Sequence, residues 1–403
     1  MTREQESVEQ MQTRLKLAYL VVLAGVCSGL HVWKLPPALT AIRTELGMSL
    51  LTSGFLLSLV QLGGMTLGLL LGMTAEKMGL RRAVVLGMLL MALSSLGSVL
   101  YATLESLLFW RALEGVGFLL AVLPGPALVR QLVPPAKLSL LLGVWGCYIP
   151  VASIIALLLG SLVLSFANWR ALWLGLAVLT AVMAYLVWRA LPPDTVKPGT
   201  QQASGWGIIR LTLSTASIWL VAFIFAMYAG QWIAVIGFLP TIYSLAGVSG
   251  VYAGVLTAIV AGTNAIGCLC AGRFLQYGAT PRLLVMAGFV TMLCSSVVAF
   301  AVPVPVWAQF VAVLVFSMVG GLVPTTMFYL VVKLAPSRQA TAASVGWMQQ
   351  LSAAGQFCGP PLVAWVATLA GGWQSTWMVT ASAAVMGIAA MTYLTRLIAE
   401  TKA

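Results

Sequence analysis

His31-Val32-Trp33-Lys34-Leu35-Pro36-Pro37 lies late in an apolar span that runs over about 16–41. His31 is the only histidine of the 403 residues, and Lys34 is the only Lys or Arg inside the span, past Lys16 at its edge. A charge at the centre of a helix in lipid costs roughly 2.5–3.5 kcal/mol on insertion scales. A Lys among Leu, Val and Ala is therefore expected to face a wet cavity or a partner. The alternative is snorkelling to an interface, if the span ends at Pro36.

The surrounding composition requires a membrane. Hydrophobic residues make up 61% of the chain and charged residues 7%, with a mean hydropathy of +1.02. A soluble domain carries about 25% charged residues, so this chain has too little polar surface to cover a soluble fold. The net charge of +12 comes from bases placed singly at the ends of apolar spans. That pattern serves orientation in a bilayer and predicts no nucleic-acid partner. Cys27, Cys147, Cys268, Cys270, Cys294 and Cys358 all fall in apolar spans. They read as buried thiols, with neither a disulfide framework nor a metal site, and no cofactor is expected. The amino end reads as an uncleaved first helix.

A helix needs about 20 apolar residues to cross a bilayer. Twelve such spans are expected, at about 16–41, 50–73, 83–103, 106–131, 139–165, 171–191, 213–242, 251–272, 283–302, 306–332, 342–369 and 374–395. With the amino terminus cytoplasmic, 17 of the 21 Lys and Arg residues fall on the cytoplasmic side. The opposite side holds Arg43 and Arg170, and Lys34 and Arg111 lie within spans. The excess of bases places both termini inside.

The chain repeats itself. Gly47-Met48-Ser49 to Gly54 aligns with Gly247-Val248-Ser249 to Gly254, Gly79 and Arg82 with Gly278 and Arg282, and Trp145 with Trp347. Trp169 and Trp173 align with Trp373 and Trp377. The offsets stay near 200 residues. Two bundles are expected, 1–190 and 213–403, joined by a cytoplasmic linker over 191–212 that opens on Leu191-Pro192-Pro193-Asp194. Halves related in this way imply a site between them near the midplane, opened alternately by rocking.

The loop Gly72-Met73-Thr74-Ala75-Glu76-Lys77-Met78-Gly79-Leu80-Arg81-Arg82 resembles the signature loop of the major facilitator superfamily. There, Gly72, Gly79, Glu76, Lys77, Arg81 and Arg82 would pin helix ends in one conformation and so gate the cycle. The fourth span, with Arg111, Glu114, Gly115 and Gly117, is similar to the family's fourth-helix motif. The resemblance implies an all-α membrane protein of twelve transmembrane helices in two pseudo-symmetric six-helix halves, the major facilitator fold. It implies a secondary transporter of the bacterial inner membrane rather than an enzyme. Its partners would be a small molecule, protons and the lipid bilayer, and it would act as a monomer. Within the superfamily, Lys34-Leu35-Pro36-Pro37 and the run from Tyr228 through Pro240 resemble the cyanate permease and nitroimidazole transporter branch, with Lys34 in place of an Arg. A Lys cannot reproduce the planar two-pronged grip of an Arg.

In this superfamily the first, fourth, seventh and tenth helices line the cavity. Lys34 and Arg111 are then expected at similar depth on the amino-half wall, with Glu114 about one turn deeper. Their sum of +1 suits a small organic or cyanate-like anion. Glu114 is the one core carboxylate and is either a proton site or a structural partner of Arg111. His31 lies three residues from Lys34 and is either a second proton site or a packing residue. Trp33, Tyr148, Tyr228, Gln231, Trp232, Asn264, Trp347 and Gln350 are the expected uncharged substrate contacts. The rival reading is proton-coupled efflux of drugs or metabolites. Against it, Gly143 to Pro150 in the fifth span lacks the Gly-Pro of the antiport motif.

Overall fold

A computed structural model of the chain describes residues 3–68, 78–134, 141, 144–194, 205–337 and 340–400. Within them the fold is helical. Its long helices are α1 (Met11–Glu45), α2 (Leu50–Gly68), α3 (Leu80–Leu100), α4 (Leu104–Leu132), α5 (Val144–Phe166), α6 (Trp169–Ala190), α7 (Ala216–Leu245), α8 (Gly250–Gln276), α9 (Pro281–Ala301), α10 (Val306–Lys333), α11 (Thr341–Leu369) and α12 (Trp373–Glu400). All but α11 are long and apolar enough to cross a membrane. The 29 residues of α11 span about 43 Å at 1.5 Å each, but Gln349, Gln350 and Gln356 make it more polar. Part of the expected linker is helical, over Gly205–Leu213.

The aligned glycines of the repeat share a backbone state. Gly47 and Gly247 have φ of 59° and 84°, and Gly79 and Gly278 have φ of 100° and 87°. Each pair turns the chain between helices in a conformation that side chains with a Cβ rarely adopt. Elsewhere glycine allows helices to touch. A methyl built on Gly115 of α4 would lie 2.3 Å from the Val60 carbonyl oxygen of α2, and one on Gly355 of α11 would lie 2.3 Å from the Ala226 carbonyl oxygen of α7. These approaches replace the hydrophobic drive that lipid removes between helices.

The first six helices meet the last six along three seams. Gly54 of α2 packs on Pro360 and Pro361 of α11, and farther along Gln61 donates to Gln356 at 3.1 Å. Gly254 and Gly262 of α8 pack on Ser161 and Ile154 of α5. Between α1 and α7, the Trp33 and Trp232 rings lie 5.4 Å apart, edge to face, and Thr40 bonds Thr241 at 3.1 Å.

One break in α1 positions the site. The helix stops at Trp33 and restarts at Leu35, with Lys34 between. Pro36 and Pro37 carry no backbone N–H, so the carbonyls of Val32 and Trp33 lose their partners four residues on. The released Val32 carbonyl is taken up by a side chain of another helix.

A buried charge cluster and the candidate transport site

That side chain is Arg111 of α4. Its guanidinium donates to the carbonyl oxygens of His31 at 2.5 Å and Val32 at 2.9 Å, and to that of Leu56 of α2 at 3.3 Å. It also pairs with Glu114 at 2.7 Å, one turn along its own helix. Arg111 thus caps the α1 break and holds α1, α2 and α4 together. Four hydrogen bonds use most of its five N–H donors.

Glu114 is the centre of the cluster. Its Oε1 accepts from the Lys34 ammonium, from His31 Nδ1 at 2.6 Å and from the Ser95 hydroxyl of α3 at 3.1 Å. Lys34 also donates to Ser95 at 2.6 Å, and its nitrogen sits 4.6 Å from the Trp173 ring centroid of α6. The other ring nitrogen of His31 bonds Thr180 of α6 at 2.7 Å. Lys34 and His31 are 0% exposed, Glu114 2% and Arg111 3%. Snorkelling is excluded for Lys34, whose ammonium is enclosed.

One expectation needs correction. Lys34 and Arg111 do not line an open wall between the halves in this structure. Both turn into the interior of the first six helices, where the one core carboxylate lies. Glu114, one turn along α4 from Arg111, is in direct contact with Lys34. The sequence reasoning also missed Ser95, Thr180 and Trp173, which complete the enclosure. Ser and Thr are common in membrane spans, and only the geometry separates these two from the rest.

The uncharged residues divide. Asn264 donates to the Tyr228 hydroxyl and to the Ser317 carbonyl, both at 2.8 Å, and the Trp232 indole donates to the Ser317 hydroxyl at 3.0 Å. These join α7, α8 and α10, and the Trp33–Trp232 contact links them to α1. Tyr148 stacks near Trp145 on α5, with ring centroids 5.0 Å apart. Gln350 bridges the halves by donating to the Met65 carbonyl at 2.9 Å. Trp347 lies apart from them, against Trp219 at 4.6 Å between ring centroids. The amide of Gln231 and the indole N–H groups of Trp33 and Trp347 are buried without a partner among the described residues.

Of the expected gating residues, Gly72, Glu76 and Lys77 lie outside the described residues. Gly79, Arg81 and Arg82 meet an acid that the sequence reading did not select. Asp194, just past α6, accepts from the backbone N–H groups of Arg81 at 2.9 Å and Arg82 at 3.1 Å. It caps α3 from another part of the chain. The Arg81 guanidinium lies 4.1 Å from the Trp188 ring centroid and donates to the Trp188 carbonyl.

The model of the Major Facilitator Superfamily matches residues 21–354. The chain belongs to this superfamily. Its long apolar helices make it a multi-pass membrane protein of that superfamily. It is 26% identical over 367 residues to the 3-(3-hydroxy-phenyl)propionate transporter of Escherichia coli K12, covering 88% of this chain and 87% of that one. It is 26% identical over 153 residues to the multidrug resistance protein MdtM of the same strain, covering 38% of this chain and 37% of that protein. The chain spans about half the length or less of several curated relatives that it matches. Among solved structures, a D-xylose-proton symporter superposes with a TM-score of 0.74 at 14% identity, covering 94% of this chain and 97% of that one. That likeness shows the fold.

Proposed function

We propose that this transporter moves a small organic anion together with a proton, by alternating access of its two halves, with Glu114 and His31 as the proton site and Lys34 as the anion anchor. The supporting observation is the charge of the buried cluster. Two cations, Lys34 and Arg111, share one carboxylate. Arg111 is fixed on backbone carbonyls, so Lys34 is the cation free to change partner. When Glu114 takes a proton, Lys34 loses its counter-charge in a medium where an unpaired ion is costly. An incoming anion restores it. Proton and anion then favour each other's binding, and by linkage the preference is reciprocal.

The full-length likeness to a transporter named for an aromatic carboxylate supports the same substrate class. The partnerless N–H of Trp33, the Gln231 amide and the Tyr228–Asn264–Trp232 group are proposed to contact the uncharged part of the substrate, and Tyr148, Trp347 and Gln350 to face it during the cycle. The cyanate branch rests on the resemblance of Lys34-Leu35-Pro36-Pro37 and of the run from Tyr228 through Pro240. The transporter is read as an inner-membrane monomer with both termini cytoplasmic. Efflux of cationic drugs has the partial likeness to MdtM in its favour. Against it, Glu114 is already engaged by Lys34, His31, Ser95 and Arg111.

Thermal unfolding of purified protein against 3-(3-hydroxyphenyl)propionate, benzoate, cyanate and a cationic dye tests the proposal. At least one anion should stabilise the wild type, and Lys34→Ala should remove the effect. Stabilisation by the dye and by none of the anions would reverse the reading.

A further inference from the structure

We propose that Cys27, Thr180 and His31 form a proton relay that loads Glu114 from the side of the cluster nearer the amino end of α1. The relay rests on the reading of Glu114 as the proton site. It adds two residues that the family motifs do not mark and gives the transfer a direction.

The donors can be assigned by elimination. Glu114 Oε1 is an acceptor, so His31 Nδ1, at 2.6 Å, carries the hydrogen. A second hydrogen on the ring would place a third positive charge beside Lys34 and Arg111 against a single carboxylate. The neutral ring leaves Nε2 as an acceptor, and the Thr180 hydroxyl donates to it at 2.7 Å. A hydroxyl has one hydrogen, so the Cys27 thiol, at 3.4 Å, donates to the Thr180 oxygen. Cys27 precedes His31 by four residues, one turn along α1. All three hydrogens point toward Glu114.

Thr180 departs from the habit of its fellow threonines. Thr257, Thr326, Thr368, Thr392 and Thr395 each return the hydroxyl hydrogen to the carbonyl four residues back. The Thr180 hydroxyl meets His31 and Cys27 instead, and the residue is 0% exposed. The other titratable or charged groups around His31 are Lys34 on its own helix and Arg111 on α4, while α3 contributes Ser95; the Trp173 ring of α6 covers Lys34. Tyr148 of α5 lies against Gly29. None of these stands between Thr180 and the ring.

In the transfer, a hydronium ion gives a proton to the Cys27 sulfur and leaves as water. The S–H hydrogen passes to the Thr180 oxygen, the Thr180 hydrogen to Nε2, and the Nδ1 hydrogen to Oε1. Each bond broken is matched by one formed. The carboxylate becomes a carboxylic acid and His31 ends as its other tautomer.

A pH-jump infrared measurement on protein in lipid nanodiscs tests the relay without any substrate. The carbonyl band of protonated Glu114 is identified as the band that Glu114→Gln removes. Thr180→Val keeps the volume and removes the hydroxyl, and should slow the rise of that band at least about tenfold with its final amplitude unchanged. Thr180→Ser should rise within about twofold of the wild type. A wild-type rate in Thr180→Val, or equal slowing in Thr180→Ser, overturns the relay and leaves the proton site standing. Absence of any band sensitive to Glu114→Gln across the accessible pH range overturns both.

Discussion

At the scale of single residues, the cluster separates two kinds of buried cation. Arg111 is held by geometry: its flat fork reaches the Val32 carbonyl that the break in α1 has released, and the carbonyls of His31 and Leu56. Arg111→Ala should lower stability by about 3–5 kcal/mol, the usual cost of breaking a buried ion pair from one side. Arg111→Lys keeps the charge but cannot span the carbonyls. It should recover less than half of the loss in thermal unfolding, and full recovery would show that charge alone matters. Lys34 was conspicuous in the sequence because a charge in an apolar span is costly. What the sequence could not show is which way it turns. Ser95 and Trp173, on helices distant in the chain, decide that, and neither has a residue type that stands out.

At the scale of elements, two devices hold the first six helices to each other. The double proline breaks α1 and frees the Val32 carbonyl, which Arg111 of α4 takes up together with that of His31. Asp194 caps α3 at the point where the chain leaves α6. A carboxylate on free N–H groups at a helix start contributes about 1 kcal/mol, with the helix dipole adding a few tenths or more. Asp194→Ala should therefore cost on the order of 1–2 kcal/mol in thermal unfolding. Gly79→Ala should cost more, since its methyl would lie 2.4 Å from the Asp194 carboxylate and its φ is 100°. A Gly79→Ala protein as stable as the wild type would refute the cap. The basic pair Arg81-Arg82 was legible as part of a signature loop. Its partner was not, because Asp194 follows two prolines in a stretch that reads only as linker.

At the scale of the whole molecule, the repeat was legible because it is written in glycines and tryptophans. Gly47, Gly79, Gly247 and Gly278 recur where a turn needs positive φ, and no other residue type fits as well. The twelve spans were legible from hydropathy, although α11 is polar enough to fall short of a plain apolar criterion. An asymmetry of buried groups is overlaid on that symmetry. The charge lies in the first six helices, and hydrogen-bonding and aromatic groups in the last six. Alternating access requires the seams between the halves to open. With the native cysteines other than the buried Cys27 replaced, a disulfide between Gln61→Cys and Gln356→Cys across the α2–α11 seam should stop transport, and reduction should restore it. Full transport in the cross-linked protein would exclude movement at that seam.

The central claim is that a proton on Glu114 releases Lys34 for an anion. It is tested most directly by anion affinity against pH, using the carboxylate that most stabilises the wild type. Calorimetric titration of the wild type should show affinity falling as pH rises, by up to about tenfold per pH unit for one linked proton. In Glu114→Gln the side chain is neutral at every pH. Its affinity should match the acid limit of the wild type and lose its dependence on pH. A Glu114→Gln protein that keeps the wild-type pH dependence, or that binds no anion at any pH while remaining folded, would contradict the account.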